Sequence, residues 1–247
     1  PGFAWGSLVR QPAPALPVVL GVAAVGALLF DMLLLSDGLI VSMRDLLDRT
    51  GWDVRVTVGD APPGANRSAE IRRAGETLRT IRALPSVRSA IAVRFADATI
   101  DGPGGASTFA FLQGVTESAQ MPWTVTRGEE ARGAEAVVIN DALASALSLQ
   151  PGATMTVRAS CTGANESLPP VTLRVAGIAE FPFQETGEAT AAGSLAALAR
   201  ACGGSTTDEV HMLLVASAAD AGTAAAGIPR ARMDLFAMTN QDEGGRI

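Results

Sequence analysis

The chain contains no lysine: all nineteen of its basic residues are arginine, set against 25 aspartates and glutamates. A phosphate-binding Walker loop, a kinase strand lysine, a Schiff base and a Ser-Lys dyad all need an amine, so each is excluded. Histidine is nearly absent as well. The single one, His211, lies in Glu209-Val210-His211-Met212-Leu213-Leu214-Val215, which reads as a strand, and no G-x-S-x-G nucleophile elbow exists to pair with it. One histidine and two distant cysteines do not make a zinc cluster. Neither a catalytic residue nor a cofactor or metal site is expected. The acid pairs Glu129-Glu130 and Asp208-Glu209 read as solvated turn charges rather than catalytic dyads. A net charge of −6 with no basic stripe speaks against nucleic acid as a partner.

What the chain does have is a long apolar stretch. Ala13 to Leu35 carries one charge, Asp31, and is preceded by a single basic residue, Arg10. A helix of that length is roughly 34 Å long, enough to cross a hydrocarbon core of about 30 Å with some tilt. A cleaved secretory signal is the competing reading, but its apolar core is usually about 7–15 residues and ends at a small-x-small site. Here the run is longer and Leu33-Leu34-Leu35-Ser36-Asp37-Gly38 offers no such site. The predicted organisation is a short cytoplasmic lead over 1–12, a transmembrane helix over 13–36 and a helical stalk over 37–50. An extracytoplasmic domain over 51–238 and a polar tail over 239–247 follow. Asp31 falls near the outer end of the span as a boundary charge. Arg10 fixes the lead inside the cell by the positive-inside tendency, which sends the domain outside. Gly38 is the expected weak point of an otherwise continuous helix, and so a candidate hinge.

Outside the cell cysteines are oxidised, and a Cys161–Cys202 disulfide is expected; it would close a loop of about forty residues and contribute about 3–4 kcal/mol. The alternative is two free, buried thiols. Trp52, Val54, Val56 and Val58 alternate with polar residues as in a half-buried strand. Ser68 caps a predicted helix with Ile71, Ala74, Leu78 and Ile81 on one face, ending before Pro85. Two strands follow around the Gly-rich turn Asp101 to Gly105: Ala90 to Ala98, with Ile91, Val93 and Phe95 inward, and Ser107 to Leu112, with Phe109 and Phe111 inward. Further on, Ala136 to Ile139 reads as a strand, and Asn140 or Asp141 caps a short helix to Leu149. Met155 to Ala159 and Thr172 to Ile178 read as strands, and Ala191 to Cys202 as a helix stopped by Gly203-Gly204. Irregular interleaving predicts an α+β class, a mixed α/β domain with room for two lobes.

These segments, in this order, resemble a known family. The lead Leu8-Val9-Arg10-Gln11-Pro12, the span, and Gly51-Trp52-Asp53-Val54 look like the opening of a permease of the MacB, LolC/LolE and FtsX type. Gln113-Gly114-Val115-Thr116 and Trp123 to Gly128 are similar to that family's "G-V-D" and "l-x-x-G-R" stretches. Glu135 to Ala144 followed by Leu147 to Gly152 resembles "V-V-I-N-E-x-L-A … L-G-L-x-x-G", and Arg174 to Ala179 resembles "x-V-V-G-I-x". The resemblance implies an ABC transporter permease subunit in a bacterial inner membrane, its main domain periplasmic or extracellular. Its implied partners are a cytoplasmic ABC ATPase, a second permease copy, the membrane, and an envelope protein or exported substrate. It implies no enzyme activity in this chain, since ATP hydrolysis resides in the partner. It also implies later transmembrane helices, so the chain reads as a fragment. A single-span anchored binding or sensor domain is the alternative function. An extracytoplasmic hydrolase is disfavoured by the histidine count.

Overall fold

Beyond residue 50 the chain is organised by one strand that is too long for a single partner. A computed structural model describes residues 20–32, 51–59, 70–161, 168–181, 187–204, 208–240 and 242. It divides the chain into two units, Pro1–Asp45 and Leu46–Ile247. In the first, residues 20–32 form helix α1, whose large apolar side chains, Leu28 and Phe30 among them, are exposed. Among the described residues no helix is long and apolar enough to cross a membrane. Most of the span predicted over 13–36, the lead, the stalk and Gly38 lie outside the described residues.

The second unit contains β1 (Val54–Val58), β2 (Ile71–Arg72), α2 (Ala74–Arg82), β3 (Val87–Asp101), β4 (Ser107–Val115), β5 (Thr124–Gly128) and β6 (Ala136–Ile139). It continues with α3 (Asp141–Leu147), β7 (Thr154–Ser160), β8 (Val171–Glu180), β9 (Thr190–Ser194), α4 (Leu195–Ala201), β10 (Glu209–Val210), β11 (Met212–Ser217), α5 (Ala221–Ala231) and β12 (Leu235–Thr239). Strands β2 and β10 make a small ladder of their own. The other ten form one mixed sheet in the order β12-β1-β11-β3-β4-β9-β6-β8-β5, with β7 bridging β3 and β8. A mixed α/β domain is therefore what the sequence folds into.

The bridging strand closes the sheet on itself. β3 pairs with β4, β4 with β9, β9 with β6, β6 with β8, β8 with β7, and β7 returns to β3. Ile100, Leu112, Ile139, Val157 and Leu173 from these strands share one core with Leu143 and Leu147 of α3 and Leu198 of α4. A closed ring has no free edge within it, and its core is filled by side chains. The sheet β12-β1-β11 and the first half of β3 carry a separate core, where Val54, Val56, Leu213 and Val215 meet Leu78 and Ile81 of α2 and Ile228 of α5. A third cluster lies around Trp52, Ile91, Val93, Trp123 and Val138. Two helix-covered cores thus share one continuous sheet.

Several local expectations are corrected. The helix predicted from Ser68 starts at Ala74, and Ile71 belongs to β2; Ser68 itself lies outside the described residues. The cap comes from across the chain, because Gly75 N donates to Asp208 Oδ1 at 2.8 Å and Ala74 N to Asp208 O at 3.0 Å. On β4 the inward residues are Ala110 and Leu112, while Phe109 is exposed and packs edge to face with Phe111 at 5.5 Å. A one-residue change of phase moves every side chain to the other face, and β3 sets that phase by pairing Ala98 with Ala110. Residues 190–194 are not the start of a helix but β9, wedged between β4 and β6. Alanine favours helix, yet a strand slot where added bulk would collide outweighs that preference: a Cβ at Gly193 would lie 2.9 Å from Ala136 O.

Two glycines inside the resemblance motifs permit the closest backbone approach. Gly128 of β5 is paired with Gly177 of β8. Gly128 has φ +83, and a Cβ at Gly177 would lie 2.6 Å from Glu129 O and 2.7 Å from Arg127 O. Those are backbone atoms held in the sheet, so they cannot swing aside as a side-chain tip would. Replacing Gly177 with Ala is expected to cost about 2–3 kcal/mol by forcing β5 off the sheet edge. The check is a urea titration together with amide exchange in residues 124–128, which should accelerate in the variant. Wild-type stability and protection would show that the strands can separate without cost.

Candidate functional site

The first and last strands described in the second unit are fastened together. β1 and β12 are antiparallel neighbours with Val54 opposite Thr239, so the first and last strands described in the second unit lie side by side. Gly51 turns the chain inward with φ +70, a left-handed conformation that glycine adopts without strain. Trp52 then buries almost completely, and its carbonyl accepts a hydrogen bond from Asn240 Nδ2 at 3.1 Å. Asn240 N donates to Asp53 O at 3.1 Å, and Asp53 N donates to Val215 O at 3.1 Å.

The Asp53 carboxylate extends this clamp to the middle strand. Its Oδ1 accepts from Ser217 N at 2.8 Å, and its Oδ2 accepts from the Ser217 hydroxyl. Bonds to an ionised carboxylate are stronger than neutral ones. On the other side Thr239 N and Oγ1 donate to Asp242 Oδ2 at 3.1 and 2.8 Å. Three strands, β1, β11 and β12, are thus tied at one end by side chains in addition to their ladders. These bonds fasten the backbone that enters β1 to the strands beside it. Asp53 reads in the sequence as a polar position in an alternating strand and as part of the Gly51-Trp52-Asp53-Val54 stretch, and Asn240 as part of a tail; neither reading points to the clamp, because contacts across 188 residues leave no local pattern.

The remaining candidates are placed apart. The sulfur atoms of Cys161, just past β7, and Cys202, at the end of α4, are bonded, with Cα atoms 5.7 Å apart. Glu130 accepts from Trp123 Nε1 at 2.8 Å and from Ala131 N at 3.1 Å, Asp208 caps α2, and Glu209 pairs with Arg72 at 3.8 Å. Glu130, Asp208 and Glu209 of the two acid pairs thus each make a structural contact. His211 is mostly buried, and its Nδ1 accepts from Phe95 N at 3.0 Å, while Nε2 lies 4.0 Å from Glu70 Oε1. Burial first, then the Arg94 guanidinium, lowers its pKa below the ordinary 6.5. No group of three or more metal-ligating side chains occurs among the described residues.

With this geometry established, the chain can be set beside known proteins. Residues 15–231 match the family model described as the MacB-like periplasmic core domain. No curated protein sequence matches the chain. Among solved structures, the periplasmic region of MacB from Actinobacillus actinomycetemcomitans is similar at a TM-score of 0.55 and 13% identity, over 77% of this chain and 89% of that one. The extracellular domain of the noncanonic ABC-type transporter YknZ from Gram-positive bacteria is similar at a TM-score of 0.52 and 14% identity, over 75% of this chain and 99% of that one. At such identities the likeness speaks for a shared fold.

Proposed function

Since the chain belongs to the MacB-like periplasmic core domain family, and is thereby a component of an ABC transporter permease, we propose that it couples ATP hydrolysis by a separate cytoplasmic ATPase to motion of this domain outside the membrane. The observation that carries the proposal is the base, where β1 and β12 leave side by side and Asp53, Ser217 and Asn240 tie them. A domain whose two ends are adjacent and fastened can be inserted between membrane segments and pushed by them as one body. The apolar stretch 13–36 supplies the span, helix α1 lies within it, and its exposed apolar side chains suit lipid. In this reading a second permease copy stands beside the first, and the motion serves export, lipoprotein release or envelope remodelling. Gly38 is the flex point between span and domain.

The test is made on the native gene product, tagged, extracted in mild detergent and analysed with its copurifying proteins by mass spectrometry. A Walker-type ATPase retained with the chain is expected, and in the reconstituted complex Asn240→Ala should lower substrate-stimulated ATPase activity while basal hydrolysis persists. Membrane extraction of a lone chain with no ATPase would favour the anchored sensor instead. Unchanged stimulation in the Asn240 variant would remove the base from the coupling path.

A further inference from the structure

Strand β3 changes partner along one of its edges. β4 covers the other edge from Val93 to Asp101, but this edge faces β11 from Val87 to Val93 and β7 from Asp97 to Asp101. Between the two ladders lies a gap at residues 94–96, and it coincides with the passage from the α2/α5-covered core to the ring. A strand gap at such a place leaves backbone groups in need of partners. His211 fills it. Its own N–H donates to Val93 O at 3.0 Å, closing the β11 ladder, and its side-chain Nδ1 accepts the Phe95 N–H at 3.0 Å, in the place of a strand carbonyl. The ring also lies 5.9 Å from the Phe95 ring.

We propose that His211 is a proton-operated latch at this junction: unprotonated, it completes the hydrogen bonding of β3 between the two cores, and on taking a proton at Nδ1 it releases Phe95 N–H and turns toward Glu70. An imidazolium is a donor at both nitrogens and cannot accept from Phe95. The charged groups around it oppose each other. Arg94 on β3 repels a proton on His211, and Glu70, ahead of β2, attracts one from 4.0 Å. Glu209 on the neighbouring β10 is already paired with Arg72 at 3.8 Å. The latch stands on the geometry of the domain alone; only its biological trigger, an acidifying exterior, rests on the extracytoplasmic placement proposed above.

The sign follows from the preference for the neutral ring. A histidine with a lowered folded pKa contributes stability that is present above its unfolded value near 6.5 and lost as pH falls toward the folded one. The experiment is amide hydrogen exchange of the full chain in detergent at about pH 8 and about pH 5, corrected for intrinsic rates, read at Phe95 and at Ile91 as an internal control. Phe95 exchange is expected to accelerate about tenfold at the lower pH while Ile91 stays protected. In His211→Asn, whose Oδ1 can accept in place of Nδ1 without titrating, Phe95 should stay protected at both pH values. In His211→Phe it should exchange rapidly at both. Equal protection of wild-type Phe95 at the two pH values, or simultaneous loss at Ile91, would overturn the latch. So would an Asn variant that follows the wild-type pH dependence.

Discussion

Alanine at position 140 is expected to destabilise the domain by about 3–5 kcal/mol, more than an ordinary helix cap accounts for. Asn140 is buried and its side chain makes three bonds, all to backbone. Its Oδ1 accepts from Leu143 N at 2.9 Å and from Thr190 N at 3.1 Å, and its Nδ2 donates to Glu188 O at 2.6 Å. The first is a helix cap for α3, worth about 1 kcal/mol. The other two hold the start of β9 beside the end of β6, and truncation removes a partner from the buried Thr190 N–H and from the half-buried Glu188 carbonyl at about 1–3 kcal/mol apiece. Asn140→Asp separates the two roles, since a carboxylate keeps the acceptor and loses the amide donor to Glu188. It should retain the cap and fall between wild type and alanine. Urea titration followed by far-UV circular dichroism measures both variants. A loss of only about 1 kcal/mol for alanine would reduce Asn140 to a cap and leave β9 held by its ladders alone.

How much of this was legible depends on how far each contact reaches along the chain. The β6–Asn140–α3 unit is local, and its sequence pattern matches the observed strand Ala136–Ile139, cap and helix Asp141–Leu147 closely. The Gly-rich turn after Asp101 likewise predicts the β3–β4 hairpin that forms. What stayed hidden depends on partners far away. Phe109 and Phe111 point outward because β3 fixes the phase, and residues 190–194 become a strand because β4 and β6 flank them. The cap of α2 is Asp208, and His211 interrupts its strand because β3 has a gap to fill. Helix α5 carries Ala224, Ala225 and Ile228 on its buried side, and so many alanines make a weak apolar stripe even though it covers β12 and β1. The base is the extreme case, since nothing local in the sequence brings Asp53 to Ser217 or Asn240 to Trp52. The family motifs fared better because their glycines and Asn140 answer to steric and hydrogen-bonding demands that few other residues meet.

Removing the Cys161–Cys202 bridge is the other change of large expected effect. The two cysteines are 41 residues apart, and a loop of that length corresponds to about 4 kcal/mol of constraint on the unfolded chain. The bridge ties the end of β7, the strand that closes the ring, to the end of α4, which packs on its core. The native ring does not need the bridge to close, because β7 is also held by its ladders to β3 and β8 and by Arg158 Nη2 donating to Asp101 Oδ1 at 2.8 Å. Cys161→Ala/Cys202→Ala should therefore still fold, with stability lower by about 2–4 kcal/mol. Alanine is the better replacement because Cys202 is buried and a serine hydroxyl there would need a partner. If the contribution arises in the unfolded state, the uncrosslinked chain expands further on unfolding, so the urea m-value should rise while the midpoint falls. A fallen midpoint with an unchanged m-value would place the contribution in native packing between α4 and β7. An unchanged midpoint in the double variant would mean that the ladders alone hold the ring closed.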